Sequence, residues 1–231
     1  MEWLREINWS PLYLSIKTGA VATVIAFFAG VAAARLVMRV NKTVKWILDG
    51  LLTLPLVLPP TVAGFFLLLL FSLRRPGGQF LMVNFNLKFV QTWPGCVVAA
   101  CVIAFPLMYR NARGAFEQVD VNLIYAGRTL GMTEGEIFRK VVVPAAAPGL
   151  ASGTVLAFAR AMGEYGATSM LAGNILGKTR TISVAIASET AAGNYDIAGF
   201  WVAVIVLLSF AVVFLINLFT GIGSRGRGWR R

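Results

Sequence analysis

The sequence predicts an all-α polytopic membrane protein, with about five transmembrane helices and a cytoplasmic helix-turn-helix loop, and three observations predict it. Hydrophobic residues make up 58% of the 231 and charged residues only 13%. Uncharged runs cover 18–34, 50–73, 89–109, 141–159 and 197–223, each near or above the roughly 17–25 residues that cross about 30 Å of hydrocarbon as a helix. Basic residues collect between these runs in alternate loops. Strands fit poorly, because a membrane barrel needs short alternating segments, whereas runs apolar on every side satisfy their backbone polar groups only as helices. The helices are expected near 12–40, 46–73, 90–112, 142–162 and 197–222. They form one membrane domain over 10–220, with a polar loop at 117–143 and a basic tail at 223–231.

The first helix opens at Ser10 and Pro11, preceded by Glu2, Arg5 and Glu6. Without a basic n-region or a small-residue cleavage site it is expected to be retained rather than removed as a signal. Arg35, Arg39, Lys42 and Lys45 follow it; Arg110, Arg113, Arg128, Arg139 and Lys140 follow the third; Arg225, Arg227, Arg230 and Arg231 follow the fifth. The positive-inside rule makes that side the cytoplasm, so the N-terminus lies outside and the C-terminus inside. Arg74, Arg75, Lys88, Lys178 and Arg180 then fall outside. The net charge of +11 reads as anchoring to anionic membrane lipid, not as a nucleic-acid surface.

The second helix carries Pro55, Pro59 and Pro60 in the run LPLVLPP. Each removes a backbone donor and crowds a preceding carbonyl, so a kink or a local unwinding is expected. Irregular backbone at membrane depth needs cover from protein or a water-filled cavity, which suggests a place beside a translocation path, with a simple packing kink as the other reading. In the third helix Cys96 and Cys101 fall on different faces and read as small packing residues. Histidine is absent. With it goes the usual general base and metal ligand, so neither a catalytic residue nor a metal site is expected.

Asp120 is placed to cap a helix, Gly131 to end it in a left-handed conformation, and Thr133 with Glu136 to form the capping box of the next. Leu123, Ala126, Gly127 and Leu130 share one side of the first short helix. A shallow face of small residues suits a protein groove better than a membrane surface, which favours bulkier anchors.

The fourth helix repeats small residues at Ala145, Gly149, Gly153, Ala157 and Ala161. That stripe allows close helix approach, either across a dimer or along a path, or within the chain. Arg160 and Glu164, four apart, are spaced to pair; a direct substrate contact is the second reading. Residues 163–196 are expected to form re-entrant or surface-lying short helices. The sequence contains no G-x-x-x-x-G-K-[ST] phosphate loop, so any nucleotide site is expected on another chain.

Several segments together resemble the transmembrane subunits of type I ABC importers, and most closely bacterial molybdate permeases. They are residues 54–60 with Gly64, AFPLM at 104–108, AGRTLG at 126–131, and GTVLAFAR at 153–160 followed by GEYGAT at 163–168. Tyr125, Ala126, Gly127, Gly131, Val141, Val143 and Pro144 reproduce the spacing of that family's "EAA" loop. The resemblance implies a homodimer in a bacterial inner membrane and cytoplasmic ATP-binding cassette subunits that hold ATP and Mg, this chain binding no cofactor. It also implies a periplasmic or extracytoplasmic binding protein that delivers molybdate, with tungstate or sulfate/thiosulfate as neighbouring substrates. Tyr125, Ala126, Gly127, Gly131, Glu134 and Pro144 are the implied ATPase-coupling residues. Pro55, Pro59, Pro60, Gly149, Gly153, Ala157, Arg160 and Glu164 belong to the path or its packing. Tyr125 stands where the family pattern has glutamate, Gly127 where it has a second alanine, and Val143 where it has leucine. An ATP-independent secondary transporter is the alternative from another class, and a membrane enzyme a third.

Overall fold

A computed structural model of the protein describes residues 8–224. Arg225, Arg227, Arg230 and Arg231 of the expected basic tail lie outside the described residues. The elements in chain order are α1 (Ser10–Val37), α2 (Lys42–Val57), α3 (Pro60–Phe71), α4 (Pro76–Phe85), α5 (Trp93–Glu117), α6 (Val121–Thr129) and α7 (Glu134–Ile137). A π-helical turn (Phe138–Val142) then leads into α8 (Val143–Met162), α9 (Gly166–Leu171), α10 (Ile182–Ala191) and α11 (Tyr195–Ser224).

Four uninterrupted lengths are long and apolar enough to cross a membrane: α1, α5, the helical stretch Glu134–Met162 and α11. A fifth is reached if the pair α2 and α3, bent by 107° at their join, is one broken span rather than a re-entrant loop. The two prolines at the join explain the bend. A residue before proline is pushed out of the α region, and both Leu58 (ψ 142°) and Pro59 (ψ 134°) are extended. Pro60 then opens α3 at its first position, where a missing N–H costs nothing. Pro55, by contrast, stays within α2. Of the three prolines, the adjacent pair makes the break.

The fourth expected span, 142–162, is the end of a longer helical stretch of 29 residues. Helical backbone runs without interruption from Glu134 to Met162, so the polar loop and the membrane helix share one rod. A helix not expected from the sequence, α4, follows the bent pair. Pro76 starts it and Asn86 ends it in a left-handed conformation (φ 52°). It folds back so tightly on the end of α3 that a Cβ on Gly78 would lie 2.2 Å from the Ser72 carbonyl oxygen.

The core is built from small side chains. Ala22, Ala26 and Ala34 of α1, Ala100, Ala104, Met108 and Ala112 of α5, and Ala157 of α8 are buried together. A Cβ on Gly30 would sit 3.0 Å from the Tyr109 backbone nitrogen, so α1 and α5 are in backbone contact there. Between membrane helices water drives no hydrophobic association, and close backbone packing substitutes for it. The large apolar residues face outward instead, among them Phe28, Leu51, Phe66, Leu70 and Phe210. Cys96 is buried and Cys101 half-buried, both unbridged.

Candidate functional site

The loop between α5 and α8 is fixed at each joint by local hydrogen bonds. The Asp120 carboxylate accepts from the Asn122 N–H at 2.9 Å. At the far end of α6 the Met132 N–H donates to the Gly127 carbonyl (3.1 Å) and the Gly131 N–H to the Arg128 carbonyl (3.0 Å), the paired bonds of a Schellman stop. Gly131 has φ +74° with nothing within 4 Å of where a Cβ would stand, so backbone conformation alone requires glycine. The Thr133 N–H donates to Glu136 (3.0 Å), and the Glu136 N–H donates to the Thr133 hydroxyl (3.3 Å). Helix, turn and helix thus form one rigid piece.

Its two faces are distinct. Inward, Ile124, Met132 and Phe138 pack on the core, and the ring of Phe138 lies 5.4 Å from that of Phe116 and 4.1 Å from the Arg35 guanidinium. Gly127 also faces inward. A Cβ there would be 3.0 Å from Ile137 Cγ1, so the sequence-based grouping of Gly127 with Leu123, Ala126 and Leu130 is corrected. Its lack of a side chain seats α7 and does not add to the outer face. Outward, Leu123, Ala126 and Leu130 form a ridge, with Leu130 79% exposed.

Beside the ridge, the exposed Tyr125 ring lies 5.8 Å from the Arg128 guanidinium, whose Nε donates to Glu134 Oε1 at 2.8 Å. That hydrogen bond holds Arg128 above its ordinary pKa. The pair is open to solvent, where such bridges contribute little stability.

Pro144 is exposed near the start of α8, directly after the π turn. It has no N–H for the usual bond, and its ring would crowd the carbonyl four residues back. The backbone widens just before it, with the Val143 N–H donating to the Phe138 carbonyl five residues earlier.

Above the loop a cavity of about 1020 Å³ opens between α2, α5, α6 and α8. Arg110, Asn111, Gln118, Asp120 and Ser152 supply its polar lining, Leu56, Ala145 and Gly149 much of the rest. The small stripe of α8 packs within the chain. A Cβ on Gly153 would lie 2.6 Å from Asn111 Cβ, and one on Gly149 2.6 Å from Ala115 Cβ, while Ala157 and Ala161 are buried. Gly149 has both roles, a contact with α5 and part of the cavity wall.

The break at Pro59 and Pro60 is covered by protein. A Cβ on Gly166 would be 2.9 Å from Pro60 Cβ, and one on Gly64 2.6 Å from Ala167 Cα, so α9 lies directly against the start of α3. The Arg160 guanidinium pairs with Glu164 at 2.8 Å, and the other Glu164 oxygen accepts from the Ala167 N–H at 2.8 Å. The Glu164 side chain is 1% exposed. It therefore ties α8 to α9 and has no free face for a solute.

One cluster escaped the sequence reading. Asp49 of α2 accepts from the Tyr109 hydroxyl and the Arg113 guanidinium of α5, while Glu117 accepts from Arg113 (3.0 Å) and Lys45 (2.9 Å). The spacing of 45 with 49, and of 109, 113 and 117, puts each set on one helix face. That repeat was its only trace in the sequence. Among the described residues no group of three His, Cys, Asp or Glu side chains could hold a metal.

The sequence matches the family described as "Binding-protein-dependent transport system inner membrane component" over residues 24–223. The molybdenum transport system permease protein of Escherichia coli (strain K12) is 44% identical over 185 residues, covering 79% of this chain and 80% of that protein. The sulfate transport system permease protein of Salmonella typhimurium is 36% identical over 204 residues, 88% of this chain and 73% of that one. In three dimensions the chain is similar to an inward-facing structure of the MetNI methionine ABC transporter, with a TM-score of 0.69, 18% identity and 93% of both chains covered.

Proposed function

The chain belongs to the family of binding-protein-dependent transport system inner membrane components, and from that membership we propose that it is the transmembrane permease subunit of an ATP-driven molybdate importer. The observation that carries the substrate is the 44% identity to a molybdenum permease over four-fifths of both chains. The subunit works as a homodimer. ATP and Mg bind to separate cytoplasmic ATPase subunits, and an extracytoplasmic binding protein delivers the oxyanion to the opposite face. The N-terminus lies outside and the C-terminus in the cytoplasm, a reading supported by the positive loops.

The ridge of Leu123, Ala126 and Leu130 is the docking surface for the ATPase. Movement there passes to α8 through the contact of Ile137 on Gly127 and the unbroken rod from Glu134 to Met162. ATP binding drives the ATPases together and switches the helices between two arrangements, since packed interfaces are bistable rather than continuously deformable. The cavity opens beside the loop, as an inward-facing path requires. Among the described lining residues Arg110 is the one basic side chain and Asp120 the one acidic, so an anion is met without being held tightly, and a conducting path needs such weak binding.

Tungstate is the nearest competing substrate. Sulfate is the second reading, supported by the 36% identity to a sulfate permease. The test is reconstitution of the chain with its ATPase and binding protein in vesicles. Molybdate is expected to stimulate ATP hydrolysis and uptake at lower concentration than sulfate. Stimulation by sulfate alone would reassign the substrate, and uptake by the chain without any ATPase would replace the mechanism with secondary transport.

A further inference from the structure

At the end of the bundle opposite the helix-turn-helix loop, three lysines converge on a second cavity. Lys17, Lys88 and Lys178 line a space of about 560 Å³ together with Ser10, Tyr13 and Trp93. Among the described residues none of the three has an acidic partner, since the ion pairs use Lys45, Arg113, Arg128, Lys140, Arg160 and Arg180. All three are exposed, and three like charges around one opening favour an anion there.

The wall is built rather than incidental. The Lys17 ammonium lies 4.1 Å from the centre of the Trp93 ring and 5.7 Å from that of Tyr13. The Trp93 indole N–H donates to the Thr18 hydroxyl at 3.0 Å, fixing the ring. The Thr92 hydroxyl donates to the Lys88 carbonyl at 2.8 Å and holds that backbone. The Ser10 hydroxyl is buried with no hydrogen-bond partner among the described residues, which begin two positions before it.

Chemistry and position narrow the ligand. Ammonium groups with a hydroxyl beside them suit the oxygens of a tetrahedral oxyanion. Tyr and Trp mark the level of lipid headgroups at a membrane surface. The volume lies within the roughly 300–1,000 Å³ of sites for organic ligands, far more than a bare inorganic anion fills. We propose that this cavity binds a tetrahedral oxyanion at the membrane surface, the phosphate of an anionic phospholipid headgroup. A free tetrahedral dianion shares that chemistry, and the experiment separates the two sources.

Full-length protein is placed in phosphatidylcholine nanodiscs doped with phosphatidylglycerol, and the lipid it retains is counted by native mass spectrometry. Selective retention of phosphatidylglycerol is expected. Lys17→Gln, Lys88→Gln and Lys178→Gln each weaken it by about fivefold, and together by about a hundredfold. The matching lysine-to-arginine variants keep it, as does Lys42→Gln at the other end of the bundle. A second arm titrates inorganic phosphate calorimetrically into discs of phosphatidylcholine alone; heat that the triple glutamine variant abolishes assigns the site to the free dianion. Equal lipid retention by wild type and triple variant, with no lysine-dependent phosphate heat, overturns the site. Neither arm requires ATPase or transport, so a wrong substrate assignment would leave the result intact.

Discussion

Gly127 and Gly131, four residues apart in the loop, are required for different reasons. At Gly131 the requirement is conformational, because φ +74° is a region that side chains rarely adopt while the space around it is open. At Gly127 the constraint is steric: a Cβ would lie 3.0 Å from Ile137 Cγ1, so that side chain would have to give by a few tenths of an ångström. Gly131→Ala is therefore expected to cost about 1–2 kcal/mol without reshaping the surface. Gly131→Pro removes the N–H that bonds to the Arg128 carbonyl and disrupts the turn. Ala126→Trp leaves the fold intact but plants a bulky ring on the ridge. Both Gly131→Pro and Ala126→Trp are expected to insert into the membrane normally and to lose at least about tenfold of the co-purifying ATPase, an interface effect of about 1.4 kcal/mol or more. Normal assembly of either variant would remove the ridge from the docking surface. Arg128→Gln serves as a contrast, because a solvent-exposed pair contributes little, and its assembly should change by less than about twofold.

At the scale of elements, the bent pair α2 and α3 is held by close backbone contacts. Gly64 meets Ala167, and Gly166 meets Pro60, both closer than a side chain allows. Gly64→Leu forces α3 away from α9 and is expected to destabilise the protein by roughly 1–3 kcal/mol, read as a lower unfolding midpoint in a detergent thermal-shift assay. The same substitution at Gly50, which has nothing within 4 Å, should leave the midpoint nearly unchanged. Equal shifts at both positions would show that the α3 and α9 contact does not matter. The break, the caps and the left-handed glycine were legible in the sequence because each is determined by neighbours in the chain: proline acts on the residue before it, and threonine on the residue three ahead. The inward turn of Gly127 was not, because its partner Ile137 reaches it only after α7 folds back. The α2–α5 charge cluster was hidden for the same reason, since its two halves lie 60 or more residues apart and pairing depends on which helices become neighbours. Helix α4 was missed because ten residues are too few to stand out by hydropathy; Pro76 and Asn86 were its only markers.

For the whole molecule the decisive property is sidedness: on the proposed function the ridge faces the ATPase, and the lysine cavity lies away from it. The geometry fixes their separation. Helices α1 and α5 run parallel, with Thr18 beside Trp93 at one end and Arg35 beside Phe138 at the other. The lysine cavity and the loop therefore lie at opposite ends of the bundle. The proposed orientation rests on charge: Arg35, Arg39, Lys42, Lys45, Arg110, Arg113, Arg128, Arg139 and Lys140 crowd the loop end, and positive loops favour the cytoplasm. Single cysteines report the outcome in a Cys96→Ser, Cys101→Ser background. The two native thiols sit at small, packed positions, so their replacement is expected to be mild. Val83→Cys on α4 and Leu130→Cys on the ridge each use a residue about 80% exposed, 82% and 79% respectively. In intact cells a membrane-impermeant maleimide should label Val83→Cys and spare Leu130→Cys, which reacts only after the membrane is opened. The reverse pattern would put the ridge outside, where no ATP-binding partner could reach it, and would end the importer reading together with the assigned orientation.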